Sequence, residues 1–185
     1  ACWISQYDTD GIYGTNGLQR DKDEFRENMK TIFAALVDRG INTVIVQLRP
    51  NGDSFYPSAY YCPSNYVTGG YTIDFQYDPL AIMVEEAHAV GLSFHGWINP
   101  LRCMESGNVT GINISYGVRD FEHNHMGDYI VNYNGRLYLN PGREEVRQLI
   151  INGAAEIVRY YDVDGVHIDD YFYPTTDSSF DSTAY

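Results

Sequence analysis

The segment NPGREEVRQLIINGAAEIVRYYDVDGVHID, residues 140–169, decides the fold class. Its first part carries Val146, Leu149 and Ile157 at helical spacing, and its last part, Val166–Asp169, alternates like a strand. A helix that leads into a strand is one unit of the repeating pattern that builds a parallel sheet covered by helices. We therefore expect an α/β domain.

The same alternation extends back to the start of the chain. Further strands are predicted at Ala1–Ser5, Asn42–Leu48 and Leu92–Asn99, and further helices at Asp21–Asp38 and from Pro79 to Gly91. The loops Pro50–Asp78 and Pro100–Asn140, which follow strands, are long, whereas the loops that follow helices are short. Long loops on the strand C-terminal side are typical of the active-site face of a (β/α) barrel.

The predicted fold is the N-terminal half of a TIM (β/α)8 barrel, with about four βα units, in a single domain over residues 1–185. A doubly wound sheet would need a glycine-rich phosphate loop after its first strand, and CWISQYDTDGIYG (residues 2–14) is not one. Because such a barrel has eight strands, we expect the remaining strands beyond the C-terminus.

The composition limits the classes of partner. The 185 residues contain 25 Asp and Glu against 12 Lys and Arg, a formal net charge of −13 that repels nucleic acid and anionic membranes. No apolar run has the length of a membrane span. Cys2, Cys62 and Cys103 lack zinc or redox spacing, and a disulfide between Cys62 and Cys103 is left open because both fall in predicted loops.

Polar and aromatic side chains share one face of the predicted strands. Because residues two apart in a strand point to the same side, the third strand places His95, Trp97 and Asn99 together. By the same rule Gln47 pairs with Arg49 in the second strand, and His167 with Asp169 in the fourth. We expect Trp3, Gln47, His95, Trp97 and Asp169 on one concave side, where a purely structural barrel core would favour Val, Ile and Leu.

Each of these residues also has a structural interpretation. His95 or His167 alone would more often be a satisfied core histidine, and Arg49 could simply bridge a carboxylate. Asp169, at a strand end, needs a cationic or hydrogen-bonding partner, so we expect Arg49 and His167 to contact it and keep it ionised. Asp170 points the other way, which favours holding a loop or a sugar hydroxyl. Glu122, His123 and His125 resemble metal ligands only superficially, and we expect neither a metal nor a cofactor.

Four blocks of the sequence resemble one family. They are the opening ACWIS (residues 1–5), GINTVIVQLRPNGDSFYPS (40–58), YDPLAIMVEEAHAVGLSFHGWINPLR (77–102) and YLNPGREEVRQLIINGAAEIVRYYDVDGVHIDDYFYP (138–174). In this order they resemble the bacterial glycosyl-hydrolase-like family 10, formerly domain of unknown function 187. The resemblance implies a TIM-barrel glycoside hydrolase. Some relatives are implicated in cutting peptide-free cell-wall glycan strands, and many are exported or lipid-anchored, so it also implies an extracytoplasmic location.

The resemblance also suggests roles for individual residues. The stretch DGVHID, from Asp164 to Asp169, is similar to the strand-four motif of retaining α-glucosidases and α-galactosidases, which implies that Asp169 is the nucleophile. The general acid/base of that wider group follows a later strand, beyond the four predicted here. Glu105 and Glu122 are the local stand-ins, and we expect neither to serve.

The sequence therefore predicts a glycoside hydrolase of a bacterial polysaccharide, with Asp169 as nucleophile or as the base that activates water. Two alternatives stay open: a carbohydrate-binding pseudoenzyme without a second carboxylate, and a half-barrel that pairs with another copy. The oligomeric state is left open. The residues predicted to bind the sugar are Gln47, Arg49, His95, Trp97, Asn99, His167, Asp170, Tyr171 and Tyr173.

Overall fold

The central feature of the fold is a sheet of four parallel strands. The computed structural model describes residues 1–8, 11–15, 18–169, 174–175 and 177. The strands are β1 (Cys2–Ile4), β2 (Thr43–Arg49), β3 (Ser93–Ile98) and β4 (Gly165–His167), and each pairs in parallel with the strand before it. The predicted neighbouring, parallel arrangement is confirmed.

Three long helices connect these strands: α1 (Lys22–Val37), α2 (Pro79–Ala89) and α3 (Glu144–Tyr160). Asp21 caps α1 by accepting hydrogen bonds from the backbone N–H groups of Asp23 and Glu24, at 2.9 and 3.3 Å. Asp78 caps α2, and Pro79 is its first residue, where a missing N–H costs nothing. The α/β half-barrel predicted from the helix and strand pattern is the observed architecture.

One main hydrophobic core lies between the helices and the outer face of the sheet. It joins Phe25, Met29 and Phe33 of α1, Leu80 and Met83 of α2, Val44, Val46 and Leu48 of β2, Phe94 and Ile98 of β3, and Ile157 of α3. Burial of these apolar side chains stabilises the packing of the helices on the outer face of the sheet. The opposite, concave face is left for polar residues.

The long loops carry structure of their own. After β2, Asp53–Ser54 pairs with Cys62–Pro63, and a short helix, Asn65–Thr68, follows. After β3, Arg102–Glu105, Ile130–Tyr133 and Arg136–Leu139 form an antiparallel sheet, with a 3₁₀ turn at Ser106–Asn108 and a helix at Gly117–Asn124. A small ribbon of Gly14–Thr15 and Leu18–Gln19 lies between β1 and α1. The segments after β3, together with Tyr61, Cys62, and Val146 and Leu149 of α3, form a second apolar cluster.

Two sequence-based expectations are tested directly by the fold. Cys2, Cys62 and Cys103 are all free, so the disulfide left open between Cys62 and Cys103 is not formed. None of the helices in the described ranges combines the length and apolarity needed to cross a bilayer.

Asp164 anchors the N-terminal end of β4. Its Oδ2 accepts the backbone N–H of Phe94 at 2.7 Å and lies 2.9 Å from Nε2 of His88 on α2. These hydrogen bonds, that of Phe94 first, lower the pKa of Asp164. The first aspartate of DGVHID is therefore a fold-forming residue at the opposite end of the strand from Asp169.

Candidate functional site

A cleft opens at the C-terminal ends of the four parallel strands. Its volume is about 210 Å³, and it is lined by Ser5, Gln6, Tyr7, Gln47, Trp97, Asn99, Arg102 and Asp169. Side chains from all four strand ends thus meet here, at the face where (β/α) barrels carry their active sites. Gln47, Trp97, Asn99 and Asp169 were predicted as site residues from the sequence, whereas Gln6, Tyr7 and Arg102 were not.

The concave face below this cleft carries rings from three strands. The ring centroids of Trp3 and Trp97 are 5.0 Å apart and those of Trp3 and His167 are 4.5 Å apart, both in edge-to-face geometry. The ring of His95 lies over Gly165, where a Cβ atom would come within 2.8 Å of Nδ1. Trp3, His95 and Trp97 therefore lie on the same side of the sheet as Asp169, as predicted. Trp3 is 46% exposed, so the concave face is open.

A hydrogen-bonded chain fixes one wall of the cleft. Oε1 of Gln47 accepts the backbone N–H of Gln6 at 2.8 Å, and Oε1 of Gln6 accepts Nδ2 of Asn51 at 3.3 Å. Oδ1 of Asn51 in turn accepts Nη1 of Arg136 at 3.2 Å. Gln47, Gln6 and Asn51 are all buried. The wall is therefore set in place by the protein itself, which favours a precise binding surface.

Asp169 presents an unused acceptor at this cleft. Its Oδ1 is buried and has no hydrogen-bond partner among the described residues, and the same is true of Nε1 of Trp97 and Oδ1 of Asn99. Buried polar atoms in folded proteins almost always have partners, so three unpaired atoms on residues lining one cleft indicate a place for a polar ligand. No hydrogen bond joins Asp169 to His167, whose ring packs against Trp3 instead.

The structure corrects the prediction for Arg49. Pairing of β2 with β3 shifts between Gln47 and Arg49, so that Gln47 is opposite Trp97 but Arg49 is opposite Ile98. This irregularity reverses the alternation and turns Arg49 away from the concave face. Its side chain is 1% exposed, its guanidinium lies 4.0 Å from the ring centroid of Tyr61, and it forms neither a hydrogen bond nor an ion pair with Asp169.

Arg102, rather than Arg49, is the arginine that lines the cleft together with Asp169. Its Nε donates to the backbone carbonyl of Pro50 at 3.3 Å. Arg102 also acts on the buried residue Asp53. Burial raises the pKa of the Asp53 carboxyl, and the backbone N–H of Asn51, which donates to Oδ1 at 2.8 Å, and the charge of Arg102 offset part of that rise. Arg102 follows the third strand closely in the sequence, but it lies in the strand Arg102–Glu105 of the loop sheet, and no local pattern indicates that it reaches the cleft.

A family model described as glycosyl hydrolase-like 10 matches residues 1–184. The chain belongs to the glycosyl hydrolase-like 10 family. This confirms the resemblance that the four sequence blocks indicated.

Two curated proteins are similar in sequence to this glycosyl hydrolase-like 10 chain. Glycosyl hydrolase YngK of Bacillus subtilis (strain 168) is 46% identical over 136 residues, which are 73% of this chain and 26% of that protein. Glycosyl hydrolase DigH of Escherichia coli (strain K12) is 36% identical over 144 residues, 76% of this chain and 33% of that protein. The matched part of this chain thus spans well under half of the length of these relatives.

Solved structures support the fold of the glycosyl hydrolase-like 10 chain. A hypothetical protein of Ruminiclostridium thermocellum ATCC 27405 matches with a TM-score of 0.57 at 10% identity, over 100% of this chain and 88% of that chain. The maltogenic α-amylase AmyB of Thermotoga neapolitana matches with a TM-score of 0.52 at 16% identity, over 99% of this chain and 41% of that chain. The GH36 α-galactosidase AgaA of Geobacillus stearothermophilus matches with a TM-score of 0.51 at 14% identity, over 94% of this chain and 21% of that chain. At such identities the likeness shows a partial barrel fold and no more.

The two local stand-ins for the acid/base of this glycosyl hydrolase-like 10 chain, Glu105 and Glu122, stand apart from the cleft. Glu105 lies 3.6 Å from Arg136 and Glu122 pairs with Arg119, and neither lines the cleft. Asp169 is the single carboxylate among the described cleft-lining residues. Asp170, Tyr171 and Tyr173 lie outside the described residues. Within the described ranges, no group of three His, Cys, Asp or Glu side chains is arranged to hold a metal ion.

Proposed function

We propose that this chain supplies half of the catalytic barrel of a glycoside hydrolase, with Asp169 as the nucleophile or as the base that activates water. The observation that carries the proposal is the buried Oδ1 of Asp169, which has no hydrogen-bond partner in the described part of the chain and lies in a cleft at the C-terminal ends of four parallel strands. Glycoside hydrolysis places one carboxylate on each side of the scissile bond. Asp169 is one of them, and the general acid comes from the rest of the protein.

The other cleft residues fit the recognition of a sugar. Trp97 offers an aromatic surface for a pyranose ring, with its Nε1 free to donate. Asn99 offers a free acceptor, and Arg102 offers a cation beside Asp169. A few polar groups around an aromatic surface are the usual composition of a small-molecule site. The carboxylate separation, about 5–5.5 Å for retention or about 6.5–9.5 Å for inversion, decides between the two roles of Asp169.

The substrate we propose is a bacterial polysaccharide, specifically peptidoglycan glycan strands without stem peptides. The family resemblance of the four sequence blocks supports this choice. Because that polymer lies outside the cytoplasm, an exported or lipid-anchored protein is the matching proposal for location.

Replacement of Asp169 by Asn tests the proposal. In the full-length protein, Asp169→Asn should reduce hydrolysis of peptide-free glycan strands on the order of 10³-fold or more, because an amide neither attacks carbon nor accepts the proton of water. Asp162→Asn is the matched control, since Asp162 lies near β4 with its side chain 97% exposed. Turnover of Asp169→Asn close to that of the wild type would contradict the assignment.

Sugar binding without hydrolysis is the second candidate function. It is favoured by the presence of a single carboxylate among the described residues of the cleft. A full-length wild-type protein that binds peptide-free glycan strands through Trp97 and Asn99, yet releases no product, would establish this function in place of catalysis. Trp97→Ala should then weaken binding, while Asp169→Asn should leave it nearly unchanged.

A further inference from the structure

A second hollow surface lies on the long loops at the same end of the barrel. Two cavities, of about 210 and 250 Å³, share Pro63, Asp74 and Tyr116 and therefore adjoin each other along these residues. The other aromatic residues that line them are Tyr61, Tyr71 and Phe75. We call this surface the tyrosine groove. It shares no lining residue with the Asp169 cleft.

The floor of the tyrosine groove is held rigid by the protein. Tyr61 is 1% exposed, and its hydroxyl donates to the backbone carbonyl of Leu149 on α3 at 3.2 Å. The guanidinium of Arg49 packs on the face of the Tyr61 ring. The N–H of Gly117 donates to the carbonyl of Tyr60 at 3.1 Å and joins the two loops that form the groove. A preformed groove binds a ligand with little ordering cost.

The upper part of the tyrosine groove combines aromatic rings that are packed on the protein on one side with polar groups that have no partner in the described part of the chain. Tyr71, Phe75 and Tyr116 are partly exposed, and the hydroxyls of Tyr71 and Tyr116 form no hydrogen bond with a described residue. Asp74 is exposed, and its carboxylate has neither a hydrogen bond nor an ion pair within the described part of the chain. Both cavities are lined by Asp74 together with Tyr116, so the two residues lie close together. Burial raises the pKa of Tyr116, with smaller contributions from Cys62 and Asp74.

The charges around the groove select the ligand class. Neither Lys nor Arg is among its described lining residues, so phosphate, sulfate and carboxylate ligands would face Asp74 without a compensating cation. Aromatic faces beside an acceptor carboxylate suit a neutral sugar ring, whose C–H face packs on the aromatic ring while its hydroxyls donate to the carboxylate. Each cavity is below the roughly 300–1,000 Å³ of drug-sized sites, which matches a single ring.

We propose that the tyrosine groove binds one neutral pyranose unit of a glycan chain, with Tyr71 and Tyr116 as stacking surfaces and Asp74 as the acceptor for sugar hydroxyls. This ligand class rests on the proposed glycosidase function. The groove holds a part of the polymer that is not being cleaved, and it raises the local concentration of the chain at the Asp169 cleft. It therefore matters for long chains and not for short substrates.

Oxidative footprinting of the full-length protein tests the groove residue by residue. The protein carries Asp169→Asn so that the probe, a neutral chito-oligosaccharide, stays intact during the measurement. We expect saturable protection of Tyr71 and Tyr116 as the probe is added. Adding Asp74→Ala should raise the Kd at these two tyrosines about 2- to 12-fold, as for the loss of a hydrogen bond, and should leave protection of Trp97 in the cleft unchanged.

The controls separate the groove from the catalytic site. Asp74 is exposed and unbonded, so Asp74→Ala keeps the fold, and Tyr160→Ala removes a tyrosine that is 71% exposed on α3 and should change nothing. Absence of protection at Tyr71 and Tyr116 would overturn the proposal. Protection by a deacetylated, cationic oligomer alone would also overturn it, because the groove would then be an amine site. The glycosidase proposal is tested separately by measuring product formation, and it fails if Asp169→Asn does not reduce the amount of product.

Discussion

Two aspartates of one short motif, five positions apart, do different work. Asp164 has its carboxylate bonded to the backbone of Phe94 and to His88, and it joins β4, β3 and α2. Asp169 has a buried oxygen without a partner in the described structure and lines the cleft. A carboxylate that already accepts hydrogen bonds from the protein stabilises the fold, whereas one with an unused acceptor oxygen can accept a hydrogen bond from a ligand.

Asp164 makes stability depend on pH in the acid range. Its folded-state pKa is lowered, so its contribution is complete above about pH 4, the range of an unperturbed Asp, and is lost as pH falls through the folded-state pKa. Asp164→Asn should lower the free energy of unfolding by about 1 kcal/mol at neutral pH, a value reduced for its partial exposure, and by much less near pH 2. Urea unfolding at both pH values measures this difference. An equal loss at both would show that the charge is not involved.

Strand alternation correctly predicts which residues share the concave face wherever the pairing is regular. It places Gln47 and Trp97 opposite each other, and it places Asp169 on the same side. The prediction from alternation fails at Arg49, because the irregular pairing between Gln47 and Arg49 turns the Arg49 side chain to the other face of the sheet. No local signal in the sequence marks this irregularity. Arg102 was missed for a different reason: it belongs to the loop sheet, so its approach to the cleft depends on tertiary packing.

At the scale of the elements, α3 packs closely on the sheet through a glycine. A Cβ atom at Gly153 would overlap the ring of Tyr61 and the guanidinium of Arg49. Gly153→Ala should therefore lower the free energy of unfolding by about 1–3 kcal/mol, even though alanine favours a helix by about 1 kcal/mol. Val158→Ala, on the exposed side of α3, is the control and should be nearly neutral. Equal or greater stability of Gly153→Ala would show that the interface has room for a methyl group.

The elements inside the long loops were the least predictable part of the fold. Their lengths were expected, but the antiparallel sheet after β3 was not. One signal was present: Asn134 and Gly135 form the two-residue turn between Ile130–Tyr133 and Arg136–Leu139, with φ values of 52° and 84°. Such an Asn-Gly pair is the strongest short hairpin signal. The third strand of this sheet, Arg102–Glu105, pairs across more than thirty residues, which no local pattern reveals.

At the scale of the whole molecule, we expect this chain by itself to bind sugar weakly and to be inactive. Its described cleft offers one carboxylate, and its concave face is open at Trp3. Loss of general acid assistance alone reduces rates on the order of 10²–10⁴-fold. Assays of residues 1–185 and of the full-length protein, side by side on peptide-free glycan strands, measure the difference. Comparable hydrolysis by both would place the acid within these residues, with Glu105 and Glu122 the first to test.

The strand order has a consequence for how the protein is made. Each strand pairs with the one synthesised just before it, so a βα unit can dock as it leaves the ribosome, without waiting for later sequence. Until the next unit arrives, however, the newest strand exposes its backbone donors and acceptors. Slow translation after β4 would prolong that exposure. Synonymous codon changes there should therefore alter the yield of soluble protein while the purified product keeps the same stability.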